Sequence, residues 1–140
     1  MADVDINDLT DRYTALWNEP DAARRRAAIR TLWSDDATHV LQAPTELRHS
    51  AAGLGFDHLV LQARGFNALE FRVTHAYEEF VAPGTFVFRS RGNAERLHDV
   101  VKFNWEMARR DGGEVAGVGL EVLILGPDGR IVSDYQFIEG

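Results

Sequence analysis

Apolar residues recur at helical spacing from the start of the chain: Ile6, Leu9, Tyr13, Leu16 and Trp17 share one face of a helix predicted over Asp3 to Asn18. Pro20 and Asp21 end it and cap a second helix, Ala22 to about Trp33, whose buried stripe includes Ile29, Leu32 and Trp33. Ser34-Asp35-Asp36 breaks that pattern, and Ala37 to Gln42 reads as a short strand. From Pro44 to Gly65 the signal weakens: Thr45 to Ala52 suits a short helix, and Gly53 and Gly55 mark a turn. Asn67 followed by Glu70 forms a capping-box pattern. Leu69, Val73, Ala76, Tyr77 and Phe80 then continue at helical spacing, so a third long helix is predicted over 67–82, closed by Pro83-Gly84.

The rest of the chain alternates. Thr85–Ser90, Leu97–Arg109, Glu114–Leu125 and Arg130–Ile138 read as antiparallel strands, with Asp111-Gly112-Gly113 and Gly126-Pro127-Asp128-Gly129 as hairpin turns. Three helices followed by a long, strongly bent antiparallel sheet make an α+β fold, and residues 1–140 read as one domain.

Composition narrows the function. Apolar residues are 45% and charged residues 26%, ordinary for a globular chain. The absence of cysteine excludes disulfides, a thiolate nucleophile and Cys-ligated metals. No apolar run approaches a membrane span and the N-terminus is acidic, so a cytoplasmic protein without a membrane partner is expected. A net charge of -7 argues against nucleic acid as a partner. The one dense basic cluster, Arg24, Arg25, Arg26 and Arg30, spans more than one helix face and reads as a solvated surface. His39, His49, His58, His75 and His98 lack close ligand spacing, so no metal site is expected. There is no phosphate-cradling Gly-rich loop and no nucleophile elbow.

The order of elements, with Trp-Asn-Glu-Pro-Asp at 17–21, Leu-Trp-Ser-Asp-Asp-Ala-Thr at 32–38, His98-Asp99 and Asp128-Gly129-Arg130-Ile131, resembles the SnoaL-like branch of the nuclear transport factor 2-like superfamily. The resemblance covers nearly the whole chain and is weakest between Gln42 and Gly65. It implies a cone, in which a curved sheet wraps around three helices (a cystatin-like roll) with an apolar pocket at the open end, and often a sheet-to-sheet homodimer. The superfamily includes ketosteroid isomerases, polyketide cyclases, epoxide hydrolases, dehydratases and proteins that only bind, and the fold alone does not choose among them.

Against the ketosteroid isomerases, Tyr13 falls where the oxyanion tyrosine lies and Glu121 where the oxyanion carboxylic acid lies, while Leu41 stands in place of the aspartate base. Strand parity offers replacements. If Leu41 points inward, so do Ala37 and His39, and a neutral His39 suits either a general base or a packed core histidine. Asp99 falls on the apolar register of Leu97, Val101, Phe103, Trp105 and Met107, so it is expected to face inward, as a base or as a hydrogen-bonded anchor. Glu121 shares a face with Leu123 and Leu125; it reads as a pocket acid or as an outward residue at an interface. Trp17, Trp33, Leu41, Phe103 and Trp105 are the candidate ligand-lining residues. Gly117 and Gly119 leave one side of their strand bare, for a ligand or for bending.

The leading expectation is cofactor-free proton transfer on a small apolar, cyclic or polyketide-like metabolite: isomerisation, cyclisation or dehydration. A non-catalytic binding or dimerisation domain is the alternative, and epoxide hydrolysis ranks below both. Finally, both registers of Glu114–Leu125 are rich in apolar residues, which predicts that the outer sheet face is covered by a second copy in a two-fold homodimer.

Overall fold

Asp5 opens helix α1 (Ile6–Asn18): its carboxylate accepts from the Asn7 and Asp8 amides at 3.0 and 3.1 Å. Such a cap is worth about 1 kcal/mol. The computed structural model describes residues 4–139, so Asp3, the first residue of the expected helix, lies outside the described residues. Asp21 caps α2 (Ala22–Leu32) through the Arg24 amide at 3.0 Å. Helices α3 (Thr45–Gly53) and α4 (Gly65–Ala76) follow, and α4 runs into a π-helical turn over Tyr77–Val81.

Three arginines of the α2 basic cluster, Arg24, Arg26 and Arg30, are exposed as expected, and one packs inward. Arg25 is buried, donates to the Glu19 carbonyl at 2.7 Å and lies 4.8 Å from the Tyr77 ring. Arg26 pairs with Glu70 at 2.7 Å, and Arg30 stands 4.9 Å from the Phe66 ring. Glu70 is thus engaged by α2, and the capping box expected from Asn67 and Glu70 does not form. Instead α4 begins at Gly65, whose φ of 84° turns the chain out of the preceding strand.

Seven strands build one sheet: β1 (Trp33–Leu41), β2 (Leu61–Arg64), β3 (Phe86–Ser90), β4 (Glu95–Leu97), β5 (Val100–Arg109), β6 (Val115–Leu125) and β7 (Ile131–Glu139). The order is β2-β1-β7-β6-β5-β3, with β4 paired to the start of β5. The sheet is mixed where the sequence predicts an antiparallel one, because β1 runs parallel to β7. A parallel pair needs a long crossover, here the whole chain between the two strands. Strand β1 also starts earlier than expected. Trp33 pairs with Ile131, and the register slips before Thr38, so the Ser34-Asp35-Asp36 stretch bulges within the strand instead of breaking it. Asp36 is then held on the surface by Arg64 of β2, at 3.0 and 2.7 Å.

The predicted strand 97–109 is two strands. The chain reverses at His98-Asp99, where His98 takes φ 57°, and β4 folds back antiparallel on β5. At the far edge, the Asn18 side chain at the end of α1 donates to the Phe88 carbonyl at 2.6 Å and accepts from its amide at 2.8 Å. This pairing satisfies an edge-strand residue and docks α1 on the sheet. The core lies between the helices and the concave sheet face, where Leu16, Ile29, Trp33, Val73, Phe103 and Leu123 are buried together.

Candidate active site

The concave face of β6 and β7 places two carboxyl groups against the helices. Glu121 and Asp134 are 1% and 0% exposed. Between them stands the hydroxyl of Tyr13 from α1, 3.0 Å from Glu121 Oε2 and 2.6 Å from Asp134 Oδ2. The tyrosine is held by rings on three sides: Trp17, Trp33 and Phe103, with centroids at 6.0, 5.6 and 5.5 Å. One phenolic proton cannot serve both carboxylates. Tyr13 therefore donates to one of them and accepts from the other, which must carry a proton of its own.

The electrostatics agree with that count. Burial pushes the Glu121 carboxyl well above the ordinary 4.5, the adjacent Asp134 raises it further, and hydrogen bonds from Trp105 and Tyr13 only partly oppose this. Burial likewise drives the Tyr13 hydroxyl well above 10.0, reinforced by Asp134 and Glu121. A pair of like-charged groups at this depth holds one proton between them.

Glu121 and Tyr13 form the inner end of a cavity of about 420 Å³, lined largely by apolar side chains such as Trp17, Leu41, Phe80, Phe88 and Met107. That volume suits a small-molecule ligand. Trp105 Nε1 donates to Glu121 Oε1 at 2.9 Å and fixes that carboxyl from the second side. The indole reaches it by lying across Gly119, its cross-strand partner: a Cβ on Gly119 would come 2.1 Å from the ring. Gly119 thus makes room for a tryptophan, whereas Gly117 lines the cavity itself.

The other expected residues fall in different places. His39 points inward, as parity predicts, but sits behind the cavity wall: its Nε2 donates to Gln136 Oε1 at 2.9 Å and lies 3.9 Å from Asp134 Oδ2. Burial lowers its pKa below 6.5, only partly offset by Asp134, so the ring is neutral. His39 is thus not among the residues that line the cavity, whereas its hydrogen-bond partner Gln136 is. Asp99 lies elsewhere. It sits in the turn between β4 and β5, where its carbonyl accepts from the Leu125 amide at 2.7 Å, and it does not border the cavity. Its parity argument assumed one continuous strand, and the hairpin removes that premise. Trp17, Leu41 and Trp105 line the cavity, but Trp33 and Phe103 are wholly buried against the Tyr13 ring and do not.

Two residues escaped the sequence. Asp134 did so because β7 carries a bulge: Ile124 pairs with Ser133 but Leu125 with Ile131, leaving Val132 unmatched. This flips the parity, so Asp134 and Gln136 face inward and Tyr135 and Phe137 outward. The other is Arg72, which lines the cavity from α4. It follows Leu69 by three positions and precedes Ala76 by four, so a charge on the buried stripe was the available signal.

His39, Glu121 and Asp134 could also offer a metal ion one ligand atom each within 4.8 Å of one another. A cation there would have to displace the shared proton and draw His39 from Gln136. Linear spacing hides this trio because its members come from three strands.

With the geometry in hand, the fold can be placed: it is that of the SnoaL-like and nuclear transport factor 2-like proteins. A candidate isomerase of the SnoaL-like family from Agrobacterium tumefaciens superposes with a TM-score of 0.75 at 24% identity, over 95% of this chain and 96% of that one. A SnoaL-like protein of unknown function from Burkholderia thailandensis gives 0.65 at 18%, over 99% and 100%. A candidate polyketide cyclase from Sinorhizobium meliloti gives 0.60 at 13%, over 92% and 93%. No family model and no curated protein matches the sequence, so the likeness is one of structure.

Proposed function

We propose that the protein catalyses proton transfer on a small apolar, carbonyl-bearing molecule without a cofactor, with Glu121 as the exchanging group. The observation that carries this reading is the Glu121–Tyr13–Asp134 array, which opens onto an apolar cavity at one end only. In one state Glu121 is ionised, accepts from Tyr13, and Asp134 holds the proton. In the other, Glu121 is protonated and donates to the Tyr13 oxygen, while Tyr13 donates to Asp134. A hop of two protons along the array converts one state into the other at constant charge. Glu121 can therefore take a proton from a substrate carbon and return one elsewhere, the bookkeeping of an isomerisation or cyclisation. Trp105 steadies the carboxyl in both states, and the candidate isomerase and candidate cyclase among the structural neighbours fit this chemistry.

The test is deuterium incorporation from heavy water into cyclic ketones that bind the protein, followed by NMR. Exchange is expected in the wild type and should fall by about 100-fold or more in Glu121→Gln, the typical scale of a lost acid–base group. Equal exchange in wild type and Glu121→Gln would sink the proposal. The absence of exchange in any bound ketone would favour the second reading, a binding protein. That reading draws on Leu41 standing in the cavity wall where the resemblance places a base. Epoxide hydrolysis has less support, since no arginine hydrogen-bonds to Glu121 or Asp134 among the described residues.

A further inference from the structure

Arg72 is the sole cation lining the cavity among the described residues. It stands on the inner stripe of α4 with Leu69, Val73 and Ala76, and its Nε is shut off from solvent with no acceptor. None of its donors makes a hydrogen bond or ion pair with another described residue. The guanidinium instead lies 5.4 Å from the centroid of the Trp17 ring. Trp17 also lines the cavity, and its indole Nε1 is likewise buried without an acceptor. Two neighbouring residues of one wall thus present N–H groups that the protein leaves unmatched.

Unmatched buried donors are costly, and a guanidinium cannot relieve the cost by losing its proton. Burial lowers the Arg72 pKa from its ordinary value, while its neighbours Tyr13, Glu121, Asp134 and Glu79 act through space to hold it up. None of these groups accepts a hydrogen bond from Arg72: Glu121 is engaged by Tyr13 and Trp105, and Glu79 lies 3.3 Å from His75. A fork of guanidinium donors matches the two oxygens of a carboxylate. A single cation sharing its wall with Glu79 and Glu121 matches one negative charge and disfavours two. Apart from Thr14, Gln42 and Gln136, the rest of the wall is aromatic and aliphatic.

We infer that the natural ligand is an apolar carboxylic acid bound as its monoanion, its carboxylate on the terminal N–H groups of Arg72 and its body against the apolar wall. This names the substrate class for the proton-transfer reading and rests on it for what happens to the bound molecule. The anchoring itself rests on Arg72.

The experiment titrates the full chain, near neutral pH, with three probes that share one ring system: 2-naphthoate, 2-naphthamide and 2-naphthol. Calorimetry is expected to show 2-naphthoate binding at least about tenfold more tightly than the uncharged amide, the scale of one charge-assisted pair. In Arg72→Met that preference should vanish, with 2-naphthoate weakened far more than 2-naphthol. In Arg72→Lys, which keeps the charge but not the fork, the preference should shrink without vanishing. Failure of the wild type to bind 2-naphthoate, equal affinity for acid and amide, or a preference that survives in Arg72→Met overturns the inference. The wild-type comparison decides even if a variant does not fold. The proton-transfer reading fails separately: equal ketone exchange in wild type and Glu121→Gln would count against that array and leave the Arg72 anchor standing.

Discussion

At the scale of the residue, one proton shared by two carboxyl groups through Tyr13 decides the chemistry and also the response to pH. Glu121 is held above its ordinary 4.5 by burial and by Asp134. The folded chain therefore keeps a proton that the unfolded chain releases near 4.5, and the stability tied to this is complete below that value. It is lost as pH rises through the raised folded value. His39 works in the opposite sense: burial lowers it from 6.5, so its contribution is present above 6.5 and is lost as pH falls through the lowered folded value. Glu121→Gln keeps the shape, removes the titration and relieves the like-charge neighbour. Urea melts from about pH 5 to about pH 9 should show wild type losing stability relative to Glu121→Gln as pH rises. A difference between the two that stays constant with pH would show that Glu121 is not held protonated.

Elements matter through how they meet. Strands β5 and β6 pair Trp105 with Gly119, and the missing side chain lets the indole cross the partner strand to reach Glu121. Gly119→Ala leaves no room for the ring, which is itself packed edge-on against Phe88 at 5.7 Å. The expected result is a displaced Trp105, a Glu121 carboxyl without its indole donor, and a loss of about 1–3 kcal/mol, the usual cost of overpacking. Denaturant melts would read the stability, and Trp105 fluorescence the displacement. An unchanged emission spectrum with unchanged stability would mean that the ring has space elsewhere.

For the whole molecule, the convex sheet face is the open question of assembly. Leu120, Val122 and Ile124 of β6 are half-buried there, and the β7 partners of Val122 and Leu120, Tyr135 and Phe137, are 41% and 43% exposed. Monomers rarely leave such a contiguous apolar band uncovered, and no element of this chain crosses it among the described residues. A second copy packed face to face is the expected cover, burying on the order of 800 Å² per partner. Sedimentation should then report twice 15.7 kDa, and Val122→Glu should return the species to the single-chain mass. A wild-type species of 15.7 kDa at micromolar concentration would rule the dimer out.

Local signals carried much of this architecture. The cap at Asp21, the apolar faces of α1 and α4, the turns at Asp111-Gly112-Gly113 and 126–129, and the inward parity of His39 and Leu41 were all legible in the sequence. The placement of Tyr13 and Glu121 was legible through the resemblance, although Glu121 could not be oriented by period alone. Periodicity describes a segment by itself and stays silent about its partner. It could not show that β1 runs parallel to β7, that 97–109 folds back at His98-Asp99 and takes Asp99 out of the cavity, or that Arg72 finds no acceptor in the wall it joins. The decisive case is Val132. One unmatched residue reverses the faces of β7, and whether a residue is unmatched depends on the neighbouring strand, so only the tertiary structure could bring Asp134 to Tyr13 and Glu121.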